Sequence, residues 1–308
     1  MGAIDVVVVS FNSRDRLRNC VAELAALEGV HVTVADNASS DRSLDTVADL
    51  PVEAIALPRN GGFAYGCNAG WRAGGAPFVL FLNPDATIDE RSLRRLAAVL
   101  EEDERVGLAA PRILEADGSL DFSQRRFPRL RSTYAEALLL HRLFPRALWT
   151  SEMVRRPDAY ERASSPEWVS GACMLARRSL LERLGGLDEG FFLYCEDKDL
   201  CKRIRDEGYD VRYVPEAVAV HEGGASGPRS SLLAVLARSR VRFARKHRSR
   251  AAAELERLGV ALNALTHVVL ARGGRPSRAG HAAALRAAFA RTTPARSELG
   301  GRRASPAS

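Results

Sequence analysis

The chain opens on a short β-branched run, Ile4 to Val9, the pattern of a strand covered on both faces. Apolar positions then recur at helical spacing at Leu17, Val21, Leu24 and Leu27, with Ser13 as the expected N-cap and Gly29 as the stop. Further strands are predicted at Val30 to Ala35, Val52 to Leu57 and Phe78 to Leu82, and helices at Leu44 to Leu50, Phe63 to Ala73 and Glu90 to Leu100. Strands and helices alternating at this interval predict an α/β fold, a mostly parallel central sheet flanked by helices. From Val106 the rhythm changes. Asp117-Gly118 reads as a hairpin turn, and Arg125 to Trp149 mixes basic and apolar residues. Strands are predicted at Trp168 to Ala176 and Val211 to Val214, with helices at Arg178 to Leu184 and Glu196 to Glu207. After Gly223-Gly224 the chain becomes Ala/Arg/Leu-rich and helical. The division expected is a domain over 1–228, with halves 1–105 and 106–228, then a basic helical extension over 229–291 and a disordered tail over 292–308.

Composition narrows the class. With 308 residues, 46% hydrophobic and 27% charged, the chain is a folded protein rather than a disordered or fibrous one. The net charge of +7 conceals two terms of opposite sign: residues 229–308 carry 17 Lys+Arg against 3 Asp+Glu, whereas residues 1–228 carry 28 basic and 35 acidic side chains. Basic character therefore belongs to the C-terminal quarter, and no aromatic platform is interleaved with it, so nucleic acid is not the expected partner. Leu232, Leu233, Val235 and Leu236 precede Arg238, Arg240, Arg242, Arg245, Lys246, Arg248 and Arg250, a pattern that predicts contact with an anionic membrane surface at about 1 kcal/mol per basic residue. The alternative is that these helices pack on the first domain and expose arginine. Tyr134 to Trp149 could be a second membrane contact or a lid. Five cysteines without a Cys-x-x-Cys pair indicate neither a disulfide framework nor a zinc site. The start lacks a basic, cleavable leader, and Leu258 to Ala271 falls short of the ~20 residues of a membrane span. A cytoplasmic protein at the inner face of the membrane is expected.

In parallel α/β sheets ligands bind beyond the carboxyl ends of the strands. Here those ends are polar: Ser10-Phe11-Asn12, Asp36-Asn37-Ala38-Ser39, Arg59-Asn60-Gly61-Gly62 and Asn83-Pro84-Asp85. One such loop would be only a good turn; four at one sheet edge suit a nucleotide-sized pocket. Asp36 can accept hydrogen bonds from a nucleoside or serve as a turn aspartate. Gly61, Gly62 and Gly66 lack the spacing of a dinucleotide loop, and no phosphate-binding G-x-x-x-x-G-K-[ST] is present. Asp85, fixed by Pro84, is the type of oxygen ligand that Mg²⁺ or Mn²⁺ takes together with a diphosphate. Glu196, Asp197 and Asp199 lie at a predicted helix start; Asp199 is read as a helix cap and Asp197, beside Phe191 to Tyr194, as a candidate base. His221, ending the run Ala217 to Val220, is a candidate metal ligand.

Taken together, Val-Ser-Phe-Asn at 9–12, Asp-Asn-Ala-Ser at 36–39, Arg-Asn-Gly-Gly-Phe-Ala-Tyr-Gly-Cys-Asn at 59–68, Leu-Asn-Pro-Asp-Ala at 82–86, Ser-Gly-Ala-Cys at 170–173 and the stretch from Gly185 to Leu200 resemble family 2 inverting glycosyltransferases of the GT-A fold. Within that family the chain is most similar to bacterial rhamnosyltransferases of the WbbL type. The resemblance covers about residues 4–227. It implies that residues 1–105 form a nucleotide-binding half and 106–228 an acceptor-binding half. The implied nucleotide-sugar set is Ser10, Asn12, Asp36, Asn60, Gly62, Asn68, Asn83 and Asp85. Gly171, Tyr194 and Glu196 would meet the acceptor, Asp197 would be the catalytic base, and Asp85 and His221 would hold Mg²⁺ or Mn²⁺. Asn83 stands where the family's motif has its first aspartate, so contact with ribose or metal-bound water is implied for it. The implied donor is dTDP-rhamnose or another nucleotide-diphosphate sugar such as a UDP-hexose, and the implied acceptor a glycan or a polyprenyl-diphosphate-linked sugar. The competing expectation is a catalytically silent nucleotide-sugar-binding or scaffold protein.

Overall fold

A computed structural model of the chain describes residues 2–145, 147–222, 230–270 and 274–290. The Gly223-Gly224 pair, the 228/229 boundary and the tail 292–308 lie outside the described residues. The strands are β1 (Ile4–Ser10), β2 (Val30–Asp36), β3 (Val52–Ala56), β4 (Phe78–Leu82), β5 (Ala86–Ile88), β6 (Val106–Glu115), β7 (Gln124–Arg125), β8 (Trp168–Val169), β9 (Cys173–Arg177) and β10 (Asp210–His221). Eight of them form one sheet in the order β3-β2-β1-β4-β9-β6-β10-β5, while β7 and β8 pair as a separate ribbon. β1 to β4 are mutually parallel; β9 runs against both β4 and β6, and the short β5 against β10. The helices are α1 (Arg14–Ala25), α2 (Phe63–Ala73), α3 (Glu90–Glu102), α4 (Leu130–Ala137), α5 (Leu140–Leu143), α6 (Arg178–Leu184), α7 (Glu196–Asp206), α8 (Leu233–His247), α9 (Arg250–Leu270) and α10 (Gly274–Phe289).

A strand that is apolar at almost every position has no solvent face, so its alternate side chains must enter two cores. In β1, Ile4, Val6 and Val8 pack with Leu17, Val21 and Leu24 of α1 and Leu93, Leu96 and Leu100 of α3. Val7 and Val9 point the other way, onto Ala64, Cys67 and Trp71 of α2, with α6 and α7 completing that layer. Phe78, Leu80 and Leu82 of β4 join the first core, and Val79 and Phe81 the second. α2 can lie this close to the sheet because Gly66 and Gly70 face Val9 and Val7, where an added Cβ would stand 2.6 and 2.4 Å from a valine methyl. The start of β1 also takes part in a buried ion pair: Asp5 accepts from Arg178 at 2.5 Å and from the Ala76 amide at 2.9 Å, and Arg178 donates further to the carbonyls of Trp71 and Ala76.

Several predicted elements change form. The strand expected over Trp168 to Ala176 is two, β8 and β9, because the intervening Ser170-Gly171-Ala172 leaves the ribbon and joins the main sheet. Val211 to Val214 and Ala217 to Val220 are one strand, β10, interrupted by a register shift between Val214 and Val218. Leu44 to Leu50 reduces to a 3-10 turn over Ser43–Val47. Ser13 sits at the N-cap of α1 but supplies its backbone carbonyl; the side chain meeting that helix start is Asp41, which accepts from the Arg14 amide at 3.0 Å.

The largest departure concerns the C-terminal helices. Of the basic residues expected at a membrane, Arg240, Arg242 and Lys246 turn toward carboxylates of the first domain, whereas Arg245, paired with Glu254 of α9, and Arg250 stay exposed. Arg240 meets Glu136, Glu152 and Glu256; Arg242 and Lys246 meet Asp188; Lys246 and His247 meet Asp199. Arg248, just past α8, reaches Glu256 at 3.1 Å. Thr133 of α4 donates to the same Glu256 carboxylate at 2.8 Å. Packing, not exposure, is therefore the outcome for these arginines. Behind this ionic seam the three helices share an alanine core of Ala237, Val260, Ala261, Ala264, Ala284, Ala287 and Ala288, whose small side chains bring the helix backbones close.

Glu256 is 1% exposed and paired with two arginines. Removing one member of a buried ion cluster leaves the others uncompensated, so Glu256→Ala should lower unfolding free energy by about 3–5 kcal/mol. Arg42→Ala, at the exposed pair with Asp45, should change it by less than about 1 kcal/mol. Urea unfolding of the two variants checks the contrast.

Candidate active site

Register brings the first group together. β10 pairs antiparallel with β5 so that His221 lies opposite Ala86, one residue from Asp85. His221 Nε2 stands 3.1 Å from Asp85 Oδ1 and 3.4 Å from Asn83 Nδ2, and the Glu222 amide donates to the Asp85 carbonyl at 2.8 Å. Burial opposes the charge on Asp85, yet the hydrogen bond and charge of His221, with Arg16 3.6 Å away, hold its carboxyl below the usual range. Burial likewise disfavours protonated His221, and Asp85 outweighs it, raising the imidazole.

The second group is reached through β9. Asn83 donates its amide to the Ala172 carbonyl at 2.9 Å, and the preceding Gly171 donates its amide to Asp197 Oδ2, also at 2.9 Å. Asp197 Oδ1 accepts from the Lys198 amide at 2.7 Å. Tyr194 and Cys195 both adopt φ +68°, a left-handed conformation uncommon for residues with a Cβ. This turn starts α7 abruptly and presents Glu196 and Asp197 on its first turn. Desolvation raises both carboxyls, and the charge of Asp197 further opposes ionisation of Glu196. Glu196 is pushed up to about 8; Asp197 is raised less far, because the Lys198 and Gly171 amides and the charges of Lys198 and Arg125 favour its ionised form. Asp199, expected to cap the helix, does not. It points to the opposite side, fully buried, and accepts from Arg203, Lys246 and His247. Burial works against its charge, and the His247 hydrogen bond with the charges of Arg203 and Lys246 holds it at about 2. The first-turn acceptor is Asp197.

Asn83, Asp85, Gly171, Tyr194, Glu196, Asp197 and His221 all line one cavity of about 550 Å³. The other predicted residues lie outside its wall. The Ser10 hydroxyl is buried without a hydrogen-bond partner. Asn12, at φ 53°, accepts from the Ser40 amide, and Asp36 accepts from the amide and hydroxyl of Ser39, which is the turn-aspartate reading of its side chain. Asn60 accepts from the Gly62 amide, and Gly62 has φ +93° with Phe192 so near that a Cβ would stand 2.1 Å from its carbonyl oxygen. Asn68 is the clearest departure from a donor-binding role. Its amide nitrogen donates to Leu187 and Glu189, and its oxygen accepts from Trp71 and Leu187, so a side chain 1% exposed is fully used in tying α2 to the loop before α7.

The wall also holds groups that strand-end inspection missed. Lys198 Nζ is 2.6 Å from Glu152 and 4.7 Å from the centre of the Trp168 ring, and Arg240 reaches in from α8 to the same Glu152 at 3.4 Å. No local signal marks these three; their partners are distant in sequence. A resident divalent cation fits the first group in one respect. Asp85 and His221 converge with Asn83 beside them, and among the described residues no three or more His, Cys, Asp or Glu side chains form a closed cage. One carboxylate and one imidazole, with room for other ligands, suit a divalent ion shared with a diphosphate.

Comparison with known proteins agrees with this arrangement. Residues 5–185 match the model of glycosyl transferase family 2; Asp197, His221 and α8 lie past that match. An N-acetylglucosaminyl-diphospho-decaprenol L-rhamnosyltransferase of Mycobacterium tuberculosis is 31% identical over 234 residues, covering 71% of this chain and 75% of that protein. Rhamnosyltransferase WbbL of Escherichia coli is 30% identical over 149 residues, 47% of this chain and 52% of that one. A mannosyltransferase from Pyrobaculum calidifontis, solved with GDP-Man and Mn²⁺, superposes with a TM-score of 0.57 at 18% identity, covering 93% of this chain and 86% of that one. The fold is GT-A.

Glu196 keeps its proton to about pH 8 in the folded chain and loses it near 4.5 when unfolded. The folded state therefore binds the proton more tightly, and the stability this contributes is complete below 4.5 and lost as pH rises toward 8. Urea midpoints should fall across that window in the parent protein, and Glu196→Gln should flatten the fall.

Proposed function

The chain belongs to glycosyl transferase family 2, and from that premise we propose that it is an inverting, metal-dependent hexosyltransferase. The donor favoured is dTDP-rhamnose, and the acceptor is a hydroxyl of a polyprenyl-diphosphate-linked sugar or glycan in cell-envelope polysaccharide synthesis. The observation that carries this reading is Asp197: a carboxylate whose proton affinity is raised by burial, fixed by the Gly171 and Lys198 amides, in the cavity that also contains Asp85 and His221. The relatives named rhamnosyltransferase support the sugar, and the diphospho-decaprenol in one printed name supports the acceptor class.

In the proposed mechanism Asp197 accepts the proton of the acceptor hydroxyl while that oxygen forms a bond to the anomeric carbon. The bond from that carbon to the nucleoside diphosphate breaks on the opposite face, and the anomeric configuration inverts. Each oxygen of Asp197 already accepts one backbone hydrogen bond, which fixes the carboxylate plane without consuming the remaining lone pairs. The Tyr194-Cys195 turn keeps it aimed. Mg²⁺ or Mn²⁺, when bound, would be held by Asp85 and His221 and would offset charge on the leaving diphosphate.

Membrane contact is proposed for a different surface from the α8 arginines. Leu138, Leu143 and Phe144, together with Leu255, Leu258, Leu265 and Val269 along one stripe of α9, are exposed. The two sets adjoin, since the Tyr134 hydroxyl donates to the Leu255 carbonyl. Among the described residues no helix is long and apolar enough to cross a membrane, so contact would be with its surface, at the cytoplasmic face.

Asp197→Asn should lower the transfer rate by about 10²- to 10⁴-fold while donor binding is unchanged; nucleotide release and calorimetry separate the two. In the parent enzyme the rate should fall on acidification with a midpoint above the ordinary aspartate value of 3.8, because the base must be ionised and burial raises it. Asp85→Ala should weaken donor binding in the presence of Mn²⁺ and leave metal-free binding little changed, as a titration with and without the ion would register.

A further inference from the structure

Four cationic side chains line the cavity near Asp197, and they divide into two kinds. Lys198 and Arg240 are neutralised by Glu152 and its neighbours. Arg125 and Arg155 are not: among the described residues neither has a carboxylate within ion-pair distance, and Arg125 Nε is buried without a hydrogen-bond partner. Arg125 is half-buried, and keeping such a guanidinium unpaired is unfavourable unless an anion from outside completes it; Arg155 is exposed and adds its charge on the same wall.

Their placement is ordered. Arg125 pairs with Trp168 across the β7–β8 ribbon, its guanidinium 5.8 Å from that ring, and bridges Met153 on its other side. Arg155 follows two residues after Met153. The charge of Arg125 acts on Asp197 and Glu152, and that of Arg155 on His141 of α5; neither is among the groups that govern Asp85 and His221. Arg125 thus stands on the side of Asp197, and Arg155 on the side of His141 in α5, whose neighbours Leu143 and Phe144 are exposed. An acceptor that is polar at one end, anionic in the middle and apolar at the other matches this order.

We infer that Arg125 and Arg155 form an anion subsite on the acceptor side of the cavity, which seats the phosphate groups of a lipid-linked acceptor while its sugar reaches Asp197 and its hydrocarbon leaves past Leu143 and Phe144. The assignment rests on the transferase reading above. The donor diphosphate is the other source of the same chemistry, and it is expected at Asp85 and His221 instead.

The test uses the full chain with saturating dTDP and Mn²⁺, titrated with farnesyl diphosphate and with farnesol. Farnesyl diphosphate should bind at least about tenfold tighter than farnesol. Arg155→Gln, at an exposed position, and Arg125→Gln should each remove most of that preference with farnesol binding and dTDP affinity unchanged, and Arg125→Lys should retain part of it. The subsite is overturned if farnesyl diphosphate fails to bind, if dTDP competes with it, if either Gln variant weakens dTDP binding, or if the variants keep the preference. A parallel assay of nucleotide release from a donor panel reports on transfer separately: binding as expected with no release from any donor would remove the transferase reading and leave the subsite standing.

Discussion

Burying charge requires a partner for every charge buried, and that constraint organises this molecule. Glu136, Glu152, Asp188 and Asp199 of the first domain all point into a seam that α8 fills with Arg240, Arg242, Lys246 and His247. Without α8, Glu152 and Asp199 would keep only Lys198 and Arg203, and Glu136 and Asp188 would lose the cations paired with them; breaking a buried pair costs several kcal/mol. The opposite charges of the two parts of the chain are thus complementary surfaces of one structure. The same seam fixes α7, since Asp199 is clamped on one side of it while Asp197 faces the cavity on the other.

The sheet sets where chemistry can occur. Because β1 and β4 are covered on both faces, polar side chains find room only beyond the strand ends. Asn83 and Asp85 follow β4, His221 closes β10, and Gly171 leads into β9. A short antiparallel edge, β5 on β10, turns the chain after β4 back toward His221, and this turn makes residues more than 130 positions apart neighbours at 3.1 Å.

What was legible in the sequence had short range. The uninterrupted apolar run of β1 and the 3.6-residue spacing of α1 identify themselves, and motifs at strand ends marked Asp85 and His221, and one at a helix start Asp197, as candidates for one site. Long-range electrostatics did not show. Nothing around Asp199 tells a helix cap from an ion-pair hub, because His247 and Lys246, which decide it, lie about fifty residues on. Asn68 looked like a donor contact because it ends a polar motif, but its four hydrogen bonds close within the fold. The arginines of α8 were legible as charge but not as direction: amphipathic spacing does not state whether the basic stripe meets lipid or the carboxylates of another domain.

The entry of Arg240 into the cavity wall bears on how relatives can diverge. A helix some forty residues beyond Asp197 in sequence supplies one side of the cavity, so the cavity's shape is not set by residues 1–228 alone. Recombining residues 1–228 with a foreign C-terminal segment would join two surfaces whose charges were never matched. The smallest exchangeable piece of this chain runs through α8, and the cavity is more readily reshaped by changing the β7–β8 ribbon, whose Arg125 and Trp168 line it without belonging to the seam.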